Sequence, residues 1–423
     1  MKILVVCLNY APEPSGTAPY TAGLAQGLLA EGHQVRVITG IPHYPQWTNY
    51  TGFTGRRRDE IVDGVPVTRL WHTIPSTSGG PGLGRAVMEL TFGIHSVLVG
   101  WGRPDVVLTV SPALISSGLA MARVRLTPAR PRGAVWVQDM YSTGLNELGG
   151  KAKLAARAFT LLERGVLGLA DGVSVIHERF RRYVVDQVGV DPARVAVNRN
   201  WAHLRTDPHG VDVAQMRTQL TGDGDCPIAL HAGNMGAKQG LENVVEAARE
   251  AERRGSDVIF VLVGDGNQRS RLEELGRGCA NLRFAPALPD GEFRAALEAA
   301  DVLLVNEKAG VKEMAVPSKL TSYFRVGRPV VAATSVEGSC ADEVTAAGAG
   351  PIIPAGDPAL LLETVESVVA DPDRAAEHGR SAAAFAAANL AADAAIAGFS
   401  RWLQGLTIGG RHHITSLLRP RSS

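Results

Sequence analysis

The chain has 423 residues, too many for one ordinary core, which predicts two domains or three. Its 45% hydrophobic and 20% charged residues suit a soluble globular protein, and a formal net charge of +1 excludes a global pull toward nucleic acid. Cys7, Cys226, Cys279 and Cys340 lie far apart with no CxxC spacing, which argues against a zinc site or a disulfide framework and fits a reducing cytoplasm.

Taken in chain order, "MKILVVCL" is a short apolar run that passes into the proline-rich "NYAPEPSG" without a small-residue cleavage site. It reads as a first strand, not a signal peptide. Gly16 follows, just before the helical "APYTAGLAQGLLAEG", whose Leu24/Leu28 and Ala25/Leu29 pairs share a face. The free amides at that helix start suit a phosphate oxygen or a sugar hydroxyl, and a plain tight turn reads equally well. His43 stands in the proline-rich "IPHYP" and is a candidate for the acceptor side. Arg56, Arg57 and Arg58 form a basic loop, with further basic patches over residues 123–132 and at Arg411, Arg419 and Arg421. These read as solvated surface or as contacts with phosphates at a membrane. "LTFGIHSVLVGW", from Leu90 to Trp101, is well short of the roughly 20 residues that span a bilayer. It reads as a buried helix or as one lying in a membrane interface.

Short runs rich in Val, Ile and Leu recur after it: "PDVVLTV", "GAVWVQD", "DGVSVIH", and later "PIALHAG", "DVIFVLVGDG", "ADVLLVNE" and "RPVVAAT". Helical patterns lie between many of them, which predicts parallel sheets with right-handed crossovers. Asp139 and His177 each follow such a strand, and they are the candidates for a general base or acid. A helix-capping carboxylate and a surface-loop histidine are the plainer readings. The polar stretch from Trp201 to Pro227 carries no strand signal and is expected to hold the domain boundary.

Beyond it, "HAGNMGAKQGLENVV" sets Gly233, Gly236 and Lys238 between a strand and a helix, where backbone and ammonium can meet an anion. The spacing is not that of a Walker loop. "VLVGDGNQRSRL" supplies Gly264, Gly266 and Arg269, a partial dinucleotide pattern that reads as a backbone pocket for a base or ribose. "NEKAGVKEMAVPSKLTSYFRVGRPVVA" places Pro317, Ser318 and Lys319 at another helix start. Together these junctions suit a diphosphate-linked ligand. No His/Glu spacing resembles a metal site.

In that order, "NYAPEPSGTAPYTAGLAQGLLAEGHQVRVIT", "HAGNMGAKQGLENVVEAA", "FVLVGDGNQRSRLE" and "VPSKLTSYFRVGRPVVA" resemble the retaining glycosyltransferases of family 4. The likeness runs over residues 1 to 405 and points to the bacterial colanic-acid, O-antigen and N-acetylfucosamine transferases. It implies a GT-B fold: an α/β protein of two Rossmann-like, doubly wound parallel-sheet domains facing a central cleft. Residues 1–205 would form the acceptor-side domain and residues 206–390 the nucleotide-sugar domain. A helix over 391–410 would return to the first domain and give Phe399 and Trp402 their packing, leaving a basic tail at 411–423.

Carried over position by position, the resemblance assigns donor binding to Gly16, Gly233, Asn234, Lys238, Gly264, Asp265, Gly266, Pro317, Ser318, Lys319 and Ser322. It departs from the family where Asn234 replaces an arginine and where Gln239 occupies the usual lysine position, one place after Lys238. The usual pair of glutamates would fall at Met314 and Ser322, with Glu313 one place from the first. The implied activity is metal-independent, retaining transfer from a UDP-linked N-acetylamino sugar to a hydroxyl acceptor in cell-surface polysaccharide assembly. The acceptor is lipid-linked or another glycan intermediate, and a small natural product or a UDP-sugar 2-epimerase activity is the alternative. Lys238 and the amides at 233 and 318 would assist the leaving group, Asp139 would orient the acceptor, and Glu313 is a further catalytic candidate. No cofactor is implied, and the enzyme would work in the cytoplasm, with membrane contact at its periphery.

Overall fold

A computed structural model describes residues 1–14, 16–75, 82–128, 130–142, 152–201, 211–222, 225–310 and 319–417, the side chains of 152–155, 290 and 409–417 excepted. The chain divides into two compact units, Met1–Asn200 with Asp393–Ser423, and Trp201–Ala392.

The first unit is built on eight strands: β1 (Lys2–Cys7), β2 (Gln34–Gly40), β3 (Arg57–Val62), β4 (Val65–Leu70), β5 (Val106–Ser111), β6 (Arg132–Val137), β7 (Gly172–Val175) and β8 (Val195–Val197). Their order is β3-β4-β2-β1-β5-β6-β7-β8, and all neighbours are parallel except β3 and β4. That exception corrects two expectations. The sheet is mixed at its edge, and Arg57 and Arg58 lie in a strand, not a loop. The hairpin turns at Asp63 and Gly64, both with positive φ (47° and 81°), a two-residue connection that matches the strand twist. On the far side of the chain's central region, Phe399 stacks edge-on against buried Trp136 of β6 at 4.9 Å and against Trp402 at 5.2 Å. The helix Ala392–Leu417 is thereby tied to the first unit, where His33 Nε2 also meets Ser400 Oγ at 2.8 Å.

The second unit carries β9 (Ile228–Ala232), β10 (Ile259–Val263), β11 (Leu282–Ala285), β12 (Val302–Asn306), β13 (Val330–Ala333) and β14 (Ile352–Ile353). All pairs are parallel, in the order β11-β10-β9-β12-β13-β14. Alternate residues of each strand enter two separate cores: Leu230, Val261 and Leu303 on one face, Ala229, Phe260 and Leu304 on the other. Both faces are covered, which is why the strands read as unbroken apolar runs. The polar stretch expected to hold the boundary does adjoin the division after Asn200, and it also contains a helix, Val213–Thr221.

The alanine-rich end of the chain holds a longer apolar segment than Leu90–Trp101. Pro372–Ile408 is long and apolar enough to cross a bilayer by length and composition, more so than Leu90–Trp101. The helix breaks at Leu390, however, and part of its apolar surface is already used: Ala382 and Ala386 enter the second unit's core, and Phe399 and Leu403 are buried in the first.

Candidate active site

In each sheet the strand order reverses beside the first strand, between β1 and β5 and between β9 and β12. Open parallel sheets bind ligands beyond the carboxyl ends of their strands at such a point. In the second unit the loops after β9, β10 and β12 meet there. Gly233 N–H donates to Val263 O at 2.9 Å, Met235 N–H to Asp265 O at 2.8 Å, and Gln268 N–H to Met235 O at 3.0 Å. The β9 and β10 loops therefore continue side by side past the sheet. A Cβ at Gly264 would lie 2.0 Å from Gly233 O, and one at Gly266 would lie 2.5 Å from Met235 O. Neither position admits a side chain, so these glycines serve close backbone approach. The expectation that the Gly233 amide is an open donor is corrected by this pairing, because that N–H is already spent on Val263.

Behind the loop, the 3-10 turn Ala237–Gln239 is clamped by its neighbours. Gly236 N–H donates to Gln239 Oε1 at 3.1 Å, and Asn306, at the end of β12, donates through Nδ2 to the carbonyls of Gln239 (2.7 Å) and Gly240 (2.9 Å). Lys238 is exposed on this turn, and its carbonyl accepts from Lys308 N–H at 2.8 Å. Asn234 is exposed too, and Asp265 Oδ1 accepts from Gly266 N–H at 2.7 Å. Arg269 does not face a ligand: it is tied to the carbonyls of Gly264 and Ala285 and to Glu273.

Lys319 opens the helix Lys319–Val326 and is the cation that reaches the foot of this cradle. Its Nζ lies 3.0 Å from His231 Nε2 and 3.8 Å from where a Cβ on Gly233 would stand. Burial pushes the Lys319 ammonium down to about 7, against a partly offsetting pull from Cys340 and Glu307. His231, fully buried on β9, is held neutral by burial first and by the Lys319 charge second. Glu307, just past β12, accepts a hydrogen bond from Thr334. Ser322 is half-buried one residue before Tyr323, whose hydroxyl accepts from Ala232 N–H at 2.8 Å and fixes this helix to β9. Glu313, Pro317, Ser318 and Met314 lie outside the described residues.

In the first unit, Gly16 has a φ of +69° and sits exposed before the helix Ala18–Ala30, and a Cβ there would touch the Tyr44 ring at 3.4 Å. The loop bearing Tyr44 is pinned by Glu13, a buried carboxylate that no sequence motif had singled out. Its Oε1 accepts from the amides of His43 (2.8 Å) and Tyr44 (2.9 Å), and Oε2 accepts from Asn9 Nδ2 (2.9 Å). Burial raises the Glu13 carboxyl despite these donors. His43 is itself buried, with its ring 4.7 Å from that of His72, and burial lowers its pKa. Tyr44 and Trp47, half-buried, border this loop.

Asp139 is exposed after β6, and its Oδ1 accepts from Met140 N–H at 2.8 Å. His177 is not a surface-loop residue. It is buried and caps the helix Glu178–Tyr183, its Nδ1 accepting from Phe180 N–H at 3.2 Å. Burial, together with Arg199, Arg179 and Arg182, lowers its pKa to about 3, so it is neutral near pH 7. Glu89 is a second buried carboxylate missed in the sequence, accepting from Tyr141 Oη (2.6 Å) and Ile115 N–H (2.9 Å). Among the described residues no group of three or more His, Cys, Asp and Glu side chains is placed to hold a metal ion.

Two α/β units, each with a switch point in its sheet and the second with glycine-walled loops at its strand ends, have the paired Rossmann-like architecture of GT-B glycosyltransferases. Residues 15–201 match the family model of the glycosyl transferase 4-like domain, and residues 212–385 that of glycosyl transferases group 1. The chain is 33% identical over 344 residues to WcaI of Escherichia coli (strain K12), a protein named as a glycosyl transferase of colanic acid biosynthesis, covering 77% of this chain and 82% of the relative. Sucrose-phosphate synthase from Thermosynechococcus elongatus superposes with a TM-score of 0.71 at 16% identity, over 97% of this chain and 100% of that one. Anabaena HepE, solved in complex with UDP, superposes with a TM-score of 0.68 at 16% identity, over 96% and 100%. The chain belongs to the family 4 glycosyltransferases, and its fold is GT-B.

Proposed function

We propose that the protein transfers a sugar from a nucleoside diphosphate donor, a UDP-linked N-acetylamino sugar, to a hydroxyl of a lipid-linked glycan intermediate, with retention and without a metal ion. The observation that carries this reading is Lys319. Its ammonium stands at the foot of the Gly233–Gly264 cradle, and the nearest partner, His231, is neutral. Among the described residues it forms no ion pair, and the pull of Glu307 offsets its burial only in part, so a diphosphate entering the cradle would meet a cation that is incompletely compensated. Fixed positive groups at the point where charge develops are the means by which such a site stabilises departure of a phosphate. Lys238, exposed on the adjacent turn, would add a second charge from solvent.

The first unit supplies the acceptor side in this reading. Asp139 is exposed and accessible for orienting a hydroxyl, whereas His43 and His177 are buried, neutral and act as supports for their loops. Transfer then depends chiefly on positioning and on charge stabilisation. WcaI is named for colanic acid biosynthesis, which supports a glycan acceptor in polysaccharide assembly, and HepE was solved with UDP, which supports the choice of nucleotide. A cytoplasmic setting is part of the same proposal.

The test is a thermal-shift series with UDP, GDP, TDP and ADP, each with and without EDTA, on the wild type and on Lys319→Met. UDP should raise the melting temperature more than the others, EDTA should leave that rise unchanged, and the substitution should weaken UDP roughly 10- to 100-fold. A rise that needs magnesium, or one that survives Lys319→Met intact, would overturn the assignment.

A further inference from the structure

Arg85, in the first turn of the helix Leu83–Leu98, carries a guanidinium whose donors the protein leaves unspent. A guanidinium holds five N–H groups in a planar fork. Among the described residues none of them donates a hydrogen bond, and Nε is buried without a partner. The counter-charge is Glu89, one turn further along the same helix. Its Oε1 lies 3.9 Å from Nε, too far to accept a hydrogen bond. Both Glu89 oxygens are engaged elsewhere: Oε1 accepts from Tyr141 Oη at 2.6 Å, and Oε2 from Ile115 N–H at 2.9 Å. Glu89 therefore offsets the charge of Arg85 in part and leaves its donors open.

Aromatic rings hold the guanidinium instead. Its carbon lies 5.3 Å from the centroid of the Tyr141 ring and 5.9 Å from that of Trp47. Cation–π contact fixes the side chain without spending its N–H groups. The charge also reaches His43, whose pKa is lowered by burial first and by Arg85 in addition. Trp47 comes to this place with a backbone φ of +57°, which a bulky residue adopts only under strain. The loop that imposes the strain is well braced. Glu13 accepts from the His43 and Tyr44 amides, Tyr50 Oη donates to Tyr44 O at 2.8 Å, and the Trp47 indole meets the Tyr44 ring edge-on at 5.7 Å. Trp47 and Tyr44 are only half-buried, so ring surface stays open beside the unspent donors, and Tyr141 follows Asp139 by two residues. Open aromatic surface with a few placed polar groups suits the apolar face of a sugar ring. A planar fork with free N–H groups matches a carboxylate or a phosphate through paired hydrogen bonds. A purely apolar ligand would strip water from those donors and give nothing back.

We propose that Arg85 and Trp47 form a specificity subsite for a saccharide that bears an oxyanion, its ring against Trp47 and its phosphate or carboxylate in the Arg85 fork. The inference rests on the reading of the first unit as the acceptor side, and it narrows the acceptor from a hydroxyl compound at large to one with an anionic group on or beside the receiving sugar. The experiment is calorimetric titration of the full chain with glucose 1-phosphate, methyl glucuronide and methyl glucoside, with UDP saturating so that the donor site is filled. At least one of the two anionic sugars should bind about tenfold or more tighter than methyl glucoside, and the tighter of the two tells a phosphate-bearing acceptor from a uronic acid. Arg85→Gln should remove that advantage and Arg85→Lys should keep part of it, because the lysine retains the charge without the fork. Trp47→Ala should weaken charged and neutral sugars alike. Arg85→Gln/Glu89→Gln leaves no unpaired carboxylate behind; it should show the same loss as Arg85→Gln and replaces it if the single variant folds poorly. The UDP-induced shift in melting temperature should be unchanged in all of them. No binding of either anionic sugar, equal binding of all three sugars, or an advantage that survives the glutamine variants would overturn the proposal. A protein that shows no UDP shift but binds an anionic sugar through Arg85 would refute the donor reading and leave this subsite standing.

Discussion

An ammonium as enclosed as that of Lys319 gives up hydration that the neutral His231 beside it does not replace, and its pKa falls to about 7. A bound diphosphate favours the charged form, so the complex holds a proton that the free protein has partly lost. UDP affinity is therefore expected to fall as pH rises from 7 to 8.5, by up to about tenfold per unit. Calorimetry in buffers of different ionisation enthalpy should register proton uptake on binding. Lys319→Arg, whose guanidinium does not titrate in this range, should bind with a flat profile. A flat wild-type profile would contradict the placement. The stability of the ligand-free protein carries the same sign. The unfolded chain keeps this lysine protonated up to about 10, so between about 7 and 10 the unfolded state binds more protons than the native one. This group's contribution to stability then rises with pH through that window, and Lys319→Met should remove the rise while raising the melting temperature near pH 6.

At the scale of elements, the closing helix shows how much depends on a few contacts. Phe399 is buried between Trp136 and Trp402, and a Cβ on Gly27 would fall 2.4 Å from Ile396 Cδ1. Phe399→Ala should cost about 3–5 kcal/mol by chemical denaturation. Gly27→Leu should lower the melting temperature by a comparable amount, since the two helices cannot separate without exposing Leu403 and Phe399. Loss of less than about 1 kcal/mol in both would mean that the helix is only loosely held. The tie between Phe399 and the first unit was legible in advance only because large apolar groups late in the chain need a partner. The βα repeats were legible for a simpler reason: strands covered on both faces leave nearly unbroken Val, Ile and Leu. β3 was not, because "RRDEIV" is an exposed edge strand whose charges hide its alternation, although the Asp63-Gly64 pair between it and "VPVTRL" was a usable turn signal. The glycine walls at Gly264 and Gly266 were visible as glycines, and their reason, contact with the Gly233 and Met235 carbonyls, was not. Glu13, Glu89 and His231 escaped for the same cause. Each is made a buried polar group by partners far away in sequence, 88 residues for His231 and Lys319 and 30 for Glu13 and His43.

For the molecule as a whole, the division of labour lies between units. The cationic, glycine-walled site belongs to Trp201–Ala392, while Asp139 and the Glu13-pinned loop beside Gly16 belong to Met1–Asn200. Under the proposed reading, donor binding and acceptor orientation would draw on groups that different sheets hold in place, and a donor bound alone would lack the nucleophile. UDP release from a UDP-N-acetylamino sugar is accordingly expected to be slow when the enzyme and donor are mixed alone, and to rise on the order of 100-fold when a lipid diphosphate-linked saccharide is added. EDTA should leave that rise unaltered if the positive charge comes from side chains. Asp139→Asn should reduce the acceptor-dependent rate about tenfold or more while leaving UDP binding intact, because a carboxylate that orients a hydroxyl acts on the transfer step alone. Full donor turnover without any acceptor would instead mark an isomerase or hydrolase of the same sugar nucleotide. The product then discriminates further: an epimerised sugar still linked to UDP separates from free sugar plus UDP on one chromatogram.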